Sequence, residues 1–223
     1  VSHDIRTPMN AIIGYAELAD RNLDKKELLR SYLEKIGICG QKMLSILDNV
    51  LELSRIETGN VVLEESAAEA ESVLDDCLHM VSAEIEKKHQ TLTISKDIIY
   101  PYIYMDISRF TEIILNLISN AIKYMDKGKG MKGIIQIRVK DVGDFVQVEI
   151  EDNGRGISAK DLPYIFDRFY RTDTSRNSSK GGSGIGLSIV HKIMEDHGGK
   201  VWATSREGLG TTMYFVLRKF QEV

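Results

Sequence analysis

Val1-Ser2-His3-Asp4-Ile5-Arg6-Thr7-Pro8-Met9-Asn10 is the stretch on which the reading of this fold turns, because an imidazole, a carboxylate and a hydroxyl stand within two helical turns of one another. Ala11-Ile12-Ile13 and Ala16-Glu17-Leu18-Ala19 carry a helical pattern onward. In a helix, His3 and Thr7 lie one turn apart on one face with Asp4 beside them, so the three can act on one substrate. Pro8 has no N–H for the carbonyl of Asp4, and a helix running through it is expected to bend there. Taken alone, the stretch reads better as an N-terminal helix with a solvated histidine, and it is the rest of the sequence that reverses this.

Outward from this stretch, residues 1 to about 22 read as one helix with an apolar stripe of Ile5, Ile12, Ala16 and Ala19. The polar run Asp24-Lys25-Lys26-Glu27 is a connection. A longer helix follows to about Thr58, with Leu29, Leu33, Ile36, Met43, Ile46, Leu47, Val50, Leu51 and Leu53 at helical spacing and Gly59 as its stop. Such a hairpin has more apolar surface than two helices can bury. Pairing with a second copy as a four-helix bundle is one remedy; packing on the following domain is the other.

The chain has 223 residues, 43% of them hydrophobic, which suffices for a sizeable core plus a smaller element. No apolar run reaches the roughly 18 residues of a membrane helix, so direct membrane contact by these residues is not expected. Twenty-nine Lys and Arg against 33 Asp and Glu give a net charge of −4 without a basic block, which argues against nucleic acid as the main partner. Cys39 and Cys77 lack metal-ligand spacing and read as free thiols in a reducing compartment.

After Gly59 the texture changes to alternating strands and helices, which places a domain boundary near Asn60, between residues 1–59 and 60–223. Strands are expected at Val61-Val62-Leu63, Thr91-Leu92-Thr93-Ile94 and Tyr102-Ile103-Tyr104-Met105, with a helix from about Ala68 to Lys88 between the first two. Asp106 is placed to cap a helix running to about Met125. That helix has an apolar face of Phe110, Ile114, Leu117, Ile118 and Ala121; its other face carries Arg109, Glu112, Asn116, Asn120, Lys123 and Tyr124. Two asparagines one turn apart offer carbonyl oxygens to a hard cation, and Lys123 beside them suits a phosphate.

Strands at about Ile134 to Asp141 and Phe145 to Glu151 flank a hairpin turn at Val142-Gly143-Asp144. The second runs into Asp152-Asn153-Gly154-Arg155-Gly156-Ile157, where glycines allow close backbone approach and the carboxylate can accept from the exocyclic amine of a purine. A simple strand-to-helix turn is the alternative. Phe166-Asp167-Arg168-Phe169-Tyr170-Arg171 is aromatic with two arginines, and the polar run from Thr172 to Gly182 reads as a lid. In Gly181-Gly182-Ser183-Gly184-Ile185-Gly186-Leu187 a glycine loop opens a helix whose buried face is Ile189, Val190 and Ile193, and free N–H groups at such a start attract anions. No strand directly precedes the loop and no Gly-Lys-Ser/Thr follows it, so neither the Rossmann nor the P-loop pattern is met. Strands at about Lys200 to Ser205 and Thr211 to Leu217 close the chain around Gly208-Leu209-Gly210.

In this order the segments resemble those of the sensor histidine kinases of two-component signalling, over nearly the whole chain. His3 to Pro8 is similar to that family's H-box, Asn116 to Tyr124 to its N-box, Asp152 to Ile157 to its G1 box, and Phe166 to Arg171 to its F-box. Gly182 to Leu187 resembles the G2 box and Gly208 to Thr212 the last glycine box; Glu112 stands where the family has Gln. The resemblance implies a multidomain fold: a helical hairpin forming a dimeric four-helix bundle for dimerisation and histidine phosphotransfer, then a two-layer α/β sandwich with a mixed sheet that binds ATP.

The resemblance further implies adenine near Asp152 and Tyr124, Mg²⁺ on Asn120 aided by Asn116, and phosphates under Lys123, Arg171 and the loop around Gly184 and Gly186. Gly154, Gly156, Gly182, Leu187 and Thr212 complete the nucleotide site it implies. His3 then attacks the γ-phosphorus with Asp4 taking a proton, and the phosphoryl group passes to an aspartate of a response regulator or receiver domain. Asp4-Ile5-Arg6-Thr7 matches the acidic-x-x-Thr pattern of bifunctional members, which gives Thr7 a phosphatase role. A gyrase- or Hsp90-like ATPase is the enzymatic rival; it needs a glutamate where this chain has Asn116, and an amide cannot activate water. A nucleotide-binding scaffold without catalysis is the other. Starting so close to His3, the chain is expected to be the cytoplasmic piece of a larger sensor.

Overall fold

Helix α1 (Ser2–Asp20) continues through Pro8, and α2 (Lys26–Glu57) returns beside it. In the computed structural model, residues 2–57, 63–98, 102–125, 132–172 and 184–220 are described. The chain divides into Val1–Asn60 and Val61–Val223.

Within the first unit Tyr15 stacks on Tyr32 at 6.2 Å, Lys35 Nζ sits 5.1 Å over the Tyr15 ring, and Pro8, Ala19 and Ile46 are buried. The apolar stripes predict more burial than this. Ala16, Leu33, Leu47 and Leu51 are exposed, as are Met9, Ile13, Leu18 and Leu44. The reason is geometric: each helix has one neighbour, so only the seam between them is covered while a broad apolar arc is left over.

The second unit begins differently from expectation. Leu63 is in no strand, and Val61 and Val62 lie outside the described residues; the first strand is β1 (Glu65–Glu69). It pairs antiparallel with β3 (Tyr102–Asp106), Ala67 opposite Tyr104 and Ala68 opposite Ile103. That pairing holds Ala68 and Glu69 extended, so the next helix, α3 (Ala70–Lys87), starts at Ala70 instead of Ala68. Strand β2 (Thr91–Asp97) lies between α3 and β3 in sequence.

Helix α4 (Ile107–Tyr124) starts from Asp106, whose carboxylate accepts from Ser108 N–H at 2.9 Å and Arg109 N–H at 3.3 Å. The same carboxylate takes the Ser108 hydroxyl at 2.6 Å and the Glu64 N–H at 3.2 Å. Burial pushes this carboxyl up, and these four bonds outweigh it, leaving Asp106 below the usual carboxylate range. Asp106 N–H in turn donates to His197 Nε2 at 3.3 Å, while His197 Nδ1 lies 2.8 Å from the Ile193 carbonyl. The ring therefore carries its proton on Nδ1 and ties the end of one helix to the start of another.

Strands β4 (Ile134–Val142) and β5 (Phe145–Asp152) form the expected hairpin, with Val142 opposite Phe145 across Gly143-Asp144. A short 3-10 turn (Leu162–Tyr164), helix α5 (Gly186–Asp196), β6 (Lys200–Arg206) and β7 (Gly210–Arg218) follow. The sheet order is β2-β4-β5-β7-β6; β2 runs parallel to β4 and the other pairs are antiparallel, so the sheet is mixed.

One face of this sheet makes the core. Ile135, Ile137, Val148, Ile150 and Phe215 are buried against helices, with α4 on β5 and α3 and α5 beside it. Phe110 meets Phe215 edge-on at 6.0 Å. Every member of the expected apolar face of α4 is buried, joined by Ile113 and Ile122; each such side chain contributes about 1.5–3 kcal/mol. On the opposite face Arg138 pairs with Glu149 and Glu151, both at 2.6 Å, and Lys140 reaches Glu149 at 2.9 Å. Burial raises the Glu149 carboxyl, but its bonds to Arg138, Lys140 and Gln147 prevail and hold it low.

Candidate functional site

At the end of β5, the turn from Asp152 to Ile157 is tied to other parts of the second unit through the backbone of Asn153, Arg155 and Ile157. Asn153 N–H donates to Ile134 O at 3.2 Å, and Ile134 N–H returns to Asn153 Oδ1 at 2.9 Å. Gly154 N–H donates to Asp152 Oδ1 at 2.8 Å, which orients the carboxylate within its own turn. Arg155 N–H donates to Tyr124 O at 3.3 Å, and Arg155 O accepts from Gly208 N–H at 2.6 Å. Ile157 N–H donates to Ser205 Oγ at 2.8 Å. Gly156 has φ +70°, and a β-carbon there would collide with the backbone oxygen of Arg206. The motif's glycines thus serve close packing of the turn.

These bonds bring the turn to the end of α4. Tyr124 is half-buried, with Arg155 4.6 Å and Lys123 4.9 Å from its ring centroid. Burial raises the phenol, partly opposed by the nearby Arg155 and Arg171 charges. One and two turns back along the same helix, Asn120 and Asn116 are half-buried. Asn116 Nδ2 donates to Glu112 O at 3.0 Å, and its Oδ1 lies 2.6 Å from where a β-carbon of Gly186 would stand. The bare Cα of Gly186 therefore lets the start of α5 approach the amide face of α4. Glu112 pairs with Arg109 at 2.9 Å.

The aromatic segment joins this arrangement through Gly184, at φ +72°, whose carbonyl accepts from Phe169 N–H at 2.9 Å. A β-carbon on Gly184 would stand 2.8 Å from Tyr170 O and 3.1 Å from Arg171 Cγ. Phe169 itself is left-handed at φ +62°, a strain of about 1–3 kcal/mol for a bulky side chain. Tyr170 is anchored by its hydroxyl on Asp161 Oδ1 at 2.7 Å. The hydroxyls of Ser158 and Tyr170 hold the Asp161 carboxyl below its ordinary value.

Asn116, Asn120, Lys123, Tyr124, Asp152, Gly154, Gly156, Arg171, Gly184, Gly186 and Leu187 all fall in α4, the turn after β5, or the segments they meet. Gly182 and most of the expected lid lie outside the described residues. Thr212 requires correction. Asp152 pairs with Thr211 across the β5–β7 ladder, and Thr211 is buried on the face of Met213 and Phe215. Thr212 pairs with Glu151 and points to the opposite face. Strand parity excludes it from the side of the sheet that carries Asp152. The hydroxyl on the face of Asp152 is that of Thr211, 2.9 Å from Ser205 Oγ, which also binds Gly210 O at 2.8 Å. Thr211, Ser205 and Arg155 are absent from the sequence-derived set. For Thr211, counting strand parity from Asp152 would have found it only with the register known.

In the first unit, His3, Asp4 and Thr7 share the first two turns of α1. The side chains of His3 and Asp4 lie outside the described structure; Thr7 is exposed beside buried Pro8. No helix among the described residues is long and apolar enough to cross a membrane.

Comparison with known proteins agrees with this layout. Residues 105–221 match the family of histidine kinase-, DNA gyrase B- and HSP90-like ATPases, and residues 1–59 match the His Kinase A phospho-acceptor domain. The chain is 34% identical over 220 residues to histidine protein kinase 1 of Candida albicans, covering 96% of this chain and 9% of that protein. It is 30% identical over 221 residues to sensor histidine kinase WalK of Bacillus subtilis, covering 97% and 35%. It thus spans between 9% and 35% of these relatives' lengths. Among solved structures, histidine kinase ThkA in complex with the response regulator TrrA is similar at TM-score 0.80 and 28% identity, covering 99% of this chain and 60% of that one. Full-length ShkA has the same fold at TM-score 0.74 and 23% identity, covering 99% and 45%. With a phospho-acceptor hairpin followed by an ATPase-type α/β unit of this family, the chain belongs to the sensor histidine kinases.

Proposed function

We propose that the chain transfers the γ-phosphoryl group of ATP to His3 and then to an aspartate of a response regulator. Residues 1–59 serve dimerisation and phosphotransfer, and 60–223 bind ATP. The observation that carries this reading is the convergence of the Asp152 turn, the Tyr124 end of α4 and the Gly186 start of α5. A carboxylate, amide oxygens and a helix N-terminus lie in one neighbourhood, which supports a site for a purine amine and phosphates.

In this reading Asp152 and Tyr124 receive adenine, while Lys123, Arg171 and the backbone around Gly184 and Gly186 receive the phosphates. The donor set suits Mg²⁺: Asn116 commits its amide nitrogen to Glu112 O and turns its carbonyl oxygen, a hard donor, toward α5. Asn120, helped by Asn116, would hold the ion, which supplies charge neutralisation across the phosphates. One imidazole nitrogen of His3 forms the N–P bond as the bond to the bridging oxygen breaks and ADP leaves with the electron pair. Asp4 accepts the proton from the other ring nitrogen. Thr7, exposed one turn along, orients water toward a regulator's aspartyl phosphate, giving the chain a phosphatase activity as well.

The exposed apolar arc of the hairpin supports a homodimer joined through α1 and α2. ThkA's complex with TrrA supports a response regulator as partner. Against a gyrase-like hydrolase stands Asn116, an amide where a general base would be needed; the nearest carboxylate on that face, Glu112, is paired with Arg109. The test is incubation with γ-labelled ATP and Mg²⁺. Label that is acid-labile and base-stable, and absent from His3→Gln while ATP binding persists, is the expected result; label retained on His3→Gln overturns the assignment.

A further inference from the structure

Arg155 stands between the two glycines of the Asp152 turn and makes three contacts that those glycines do not. Its N–H takes the Tyr124 carbonyl at 3.3 Å, one of the carbonyls that the last turn of α4 leaves without an intrahelical donor. Its own carbonyl accepts Gly208 N–H at 2.6 Å, fixing the turn against the β6–β7 connection. Its guanidinium lies 4.6 Å from the Tyr124 ring centroid, within cation–π range.

A positive charge at the C-terminal end of a helix is also favoured by the helix dipole. Tyr124 is the last residue of α4, and Met125 after it has left helical geometry at φ −86°, ψ 58°. Arg155 reaches the ring from a second element, and that element carries Asp152.

We propose that Arg155 is a positioning residue for nucleotide binding: its guanidinium holds the Tyr124 ring in register with the Asp152 carboxylate, so that the two act on one base as a unit. The proposal rests on the nucleotide reading of this site. Lys123, at 4.9 Å over the same ring, supplies a second cation but from within α4, and it cannot couple the ring to the turn.

The test uses the 223-residue chain and measures ATP Kd together with KM and kcat for phosphate incorporation. Arg155→Met keeps the backbone bonds and removes the cation. It is expected to raise ATP Kd and KM about five- to tenfold, with kcat within about twofold, in keeping with the strength of a partly desolvated cation–π contact. Arg155→Lys should recover affinity to within about twofold of the unmodified chain.

The double-mutant cycle separates positioning from general packing. In a Tyr124→Phe background, which keeps the π-face, Arg155→Met should have its full effect; in Tyr124→Leu it should change Kd by less than about twofold. An unchanged Kd in Arg155→Met overturns the proposal, as does an equal effect in the Tyr124→Leu background. Absence of ATP binding by the unmodified chain overturns the nucleotide reading and this proposal together; binding that is indifferent to Arg155 overturns this one alone. Thermal melting of each variant verifies that the fold is intact.

Discussion

Asn116 on α4 holds its side-chain carbonyl oxygen 2.6 Å from the point where a β-carbon on Gly186 would stand, so the first residue of α5 and the amide face of α4 share one space. Gly186→Ala would therefore push the Asn116 amide off its bond to Glu112 O. The neighbour is a side-chain end that can move, so folding should survive while the amide loses its orientation. We expect phosphate incorporation to fall by roughly tenfold to hundredfold with little change in Tm. Gly156→Ala should behave oppositely. At φ +70° and against the rigid backbone of Arg206 it has no soft neighbour, and a loss of about 3 kcal/mol is expected. Paired melting and labelling measurements on the two variants check the contrast; equal loss of Tm in both would contradict it.

Asp152→Asn tests the purine contact without dismantling the turn. Asparagine keeps a carbonyl oxygen for the Gly154 N–H that Asp152 Oδ1 accepts at 2.8 Å. What it loses is the charge on the acceptor offered to an exocyclic amine. ATP binding should weaken by about 1.5–3 kcal/mol, roughly tenfold to hundredfold. Calorimetric titration with ATP reads this directly, and unchanged affinity would place the base elsewhere.

Acid should destabilise the second unit through Asp106 and Glu149. Both carboxyls lie below their ordinary values in the folded state, because hydrogen bonds, joined for Glu149 by ion pairs, outweigh the opposing effect of burial. For such groups the stabilisation is present above the unfolded value and is lost as pH falls through the folded one. The loss should therefore begin near the unfolded carboxylate range at about pH 4 and grow below it. Asp106→Ala removes the helix cap as well, at a cost of about 1–2 kcal/mol near neutrality, and should flatten the acid limb. Urea unfolding across pH 3 to 7 measures both.

Thr7→Ala separates the two proposed reactions of the hairpin. Thr7 stands one turn from His3 on α1 and is exposed, as a residue acting on a docked partner must be. Dephosphorylation of a phosphorylated response regulator should drop roughly tenfold to hundredfold while labelling of His3 persists. Equal loss of both would assign Thr7 to the helix segment around buried Pro8, and loss of neither would leave it without a role.

Much of the architecture is written in local pattern. The period of 3.6 along α4 separates the buried Phe110, Ile114 and Leu117 from the amide-bearing face, and Asp106 marks its start by a chemistry that needs only its next three residues. The β4–β5 hairpin follows from alternation around Gly143-Asp144. The Asp152 turn is legible because its glycines stand where backbone must pass close to backbone.

Tertiary structure decided the rest, wherever the partner lies far along the chain. Glu65-Ser66-Ala67-Ala68-Glu69 has little strand character of its own and is extended because β3 supplies its hydrogen bonds. Whether Thr211 or Thr212 shares a face with Asp152 depends on register between β5 and β7, and a one-residue change of parity reverses the answer. Arg155 acquires meaning only when its turn meets the end of α4, since nothing adjacent to it in sequence resembles Tyr124. Local pattern determines which face a residue occupies on its own element; it cannot say which other element that face will meet, because that is settled by the packing of all of them at once.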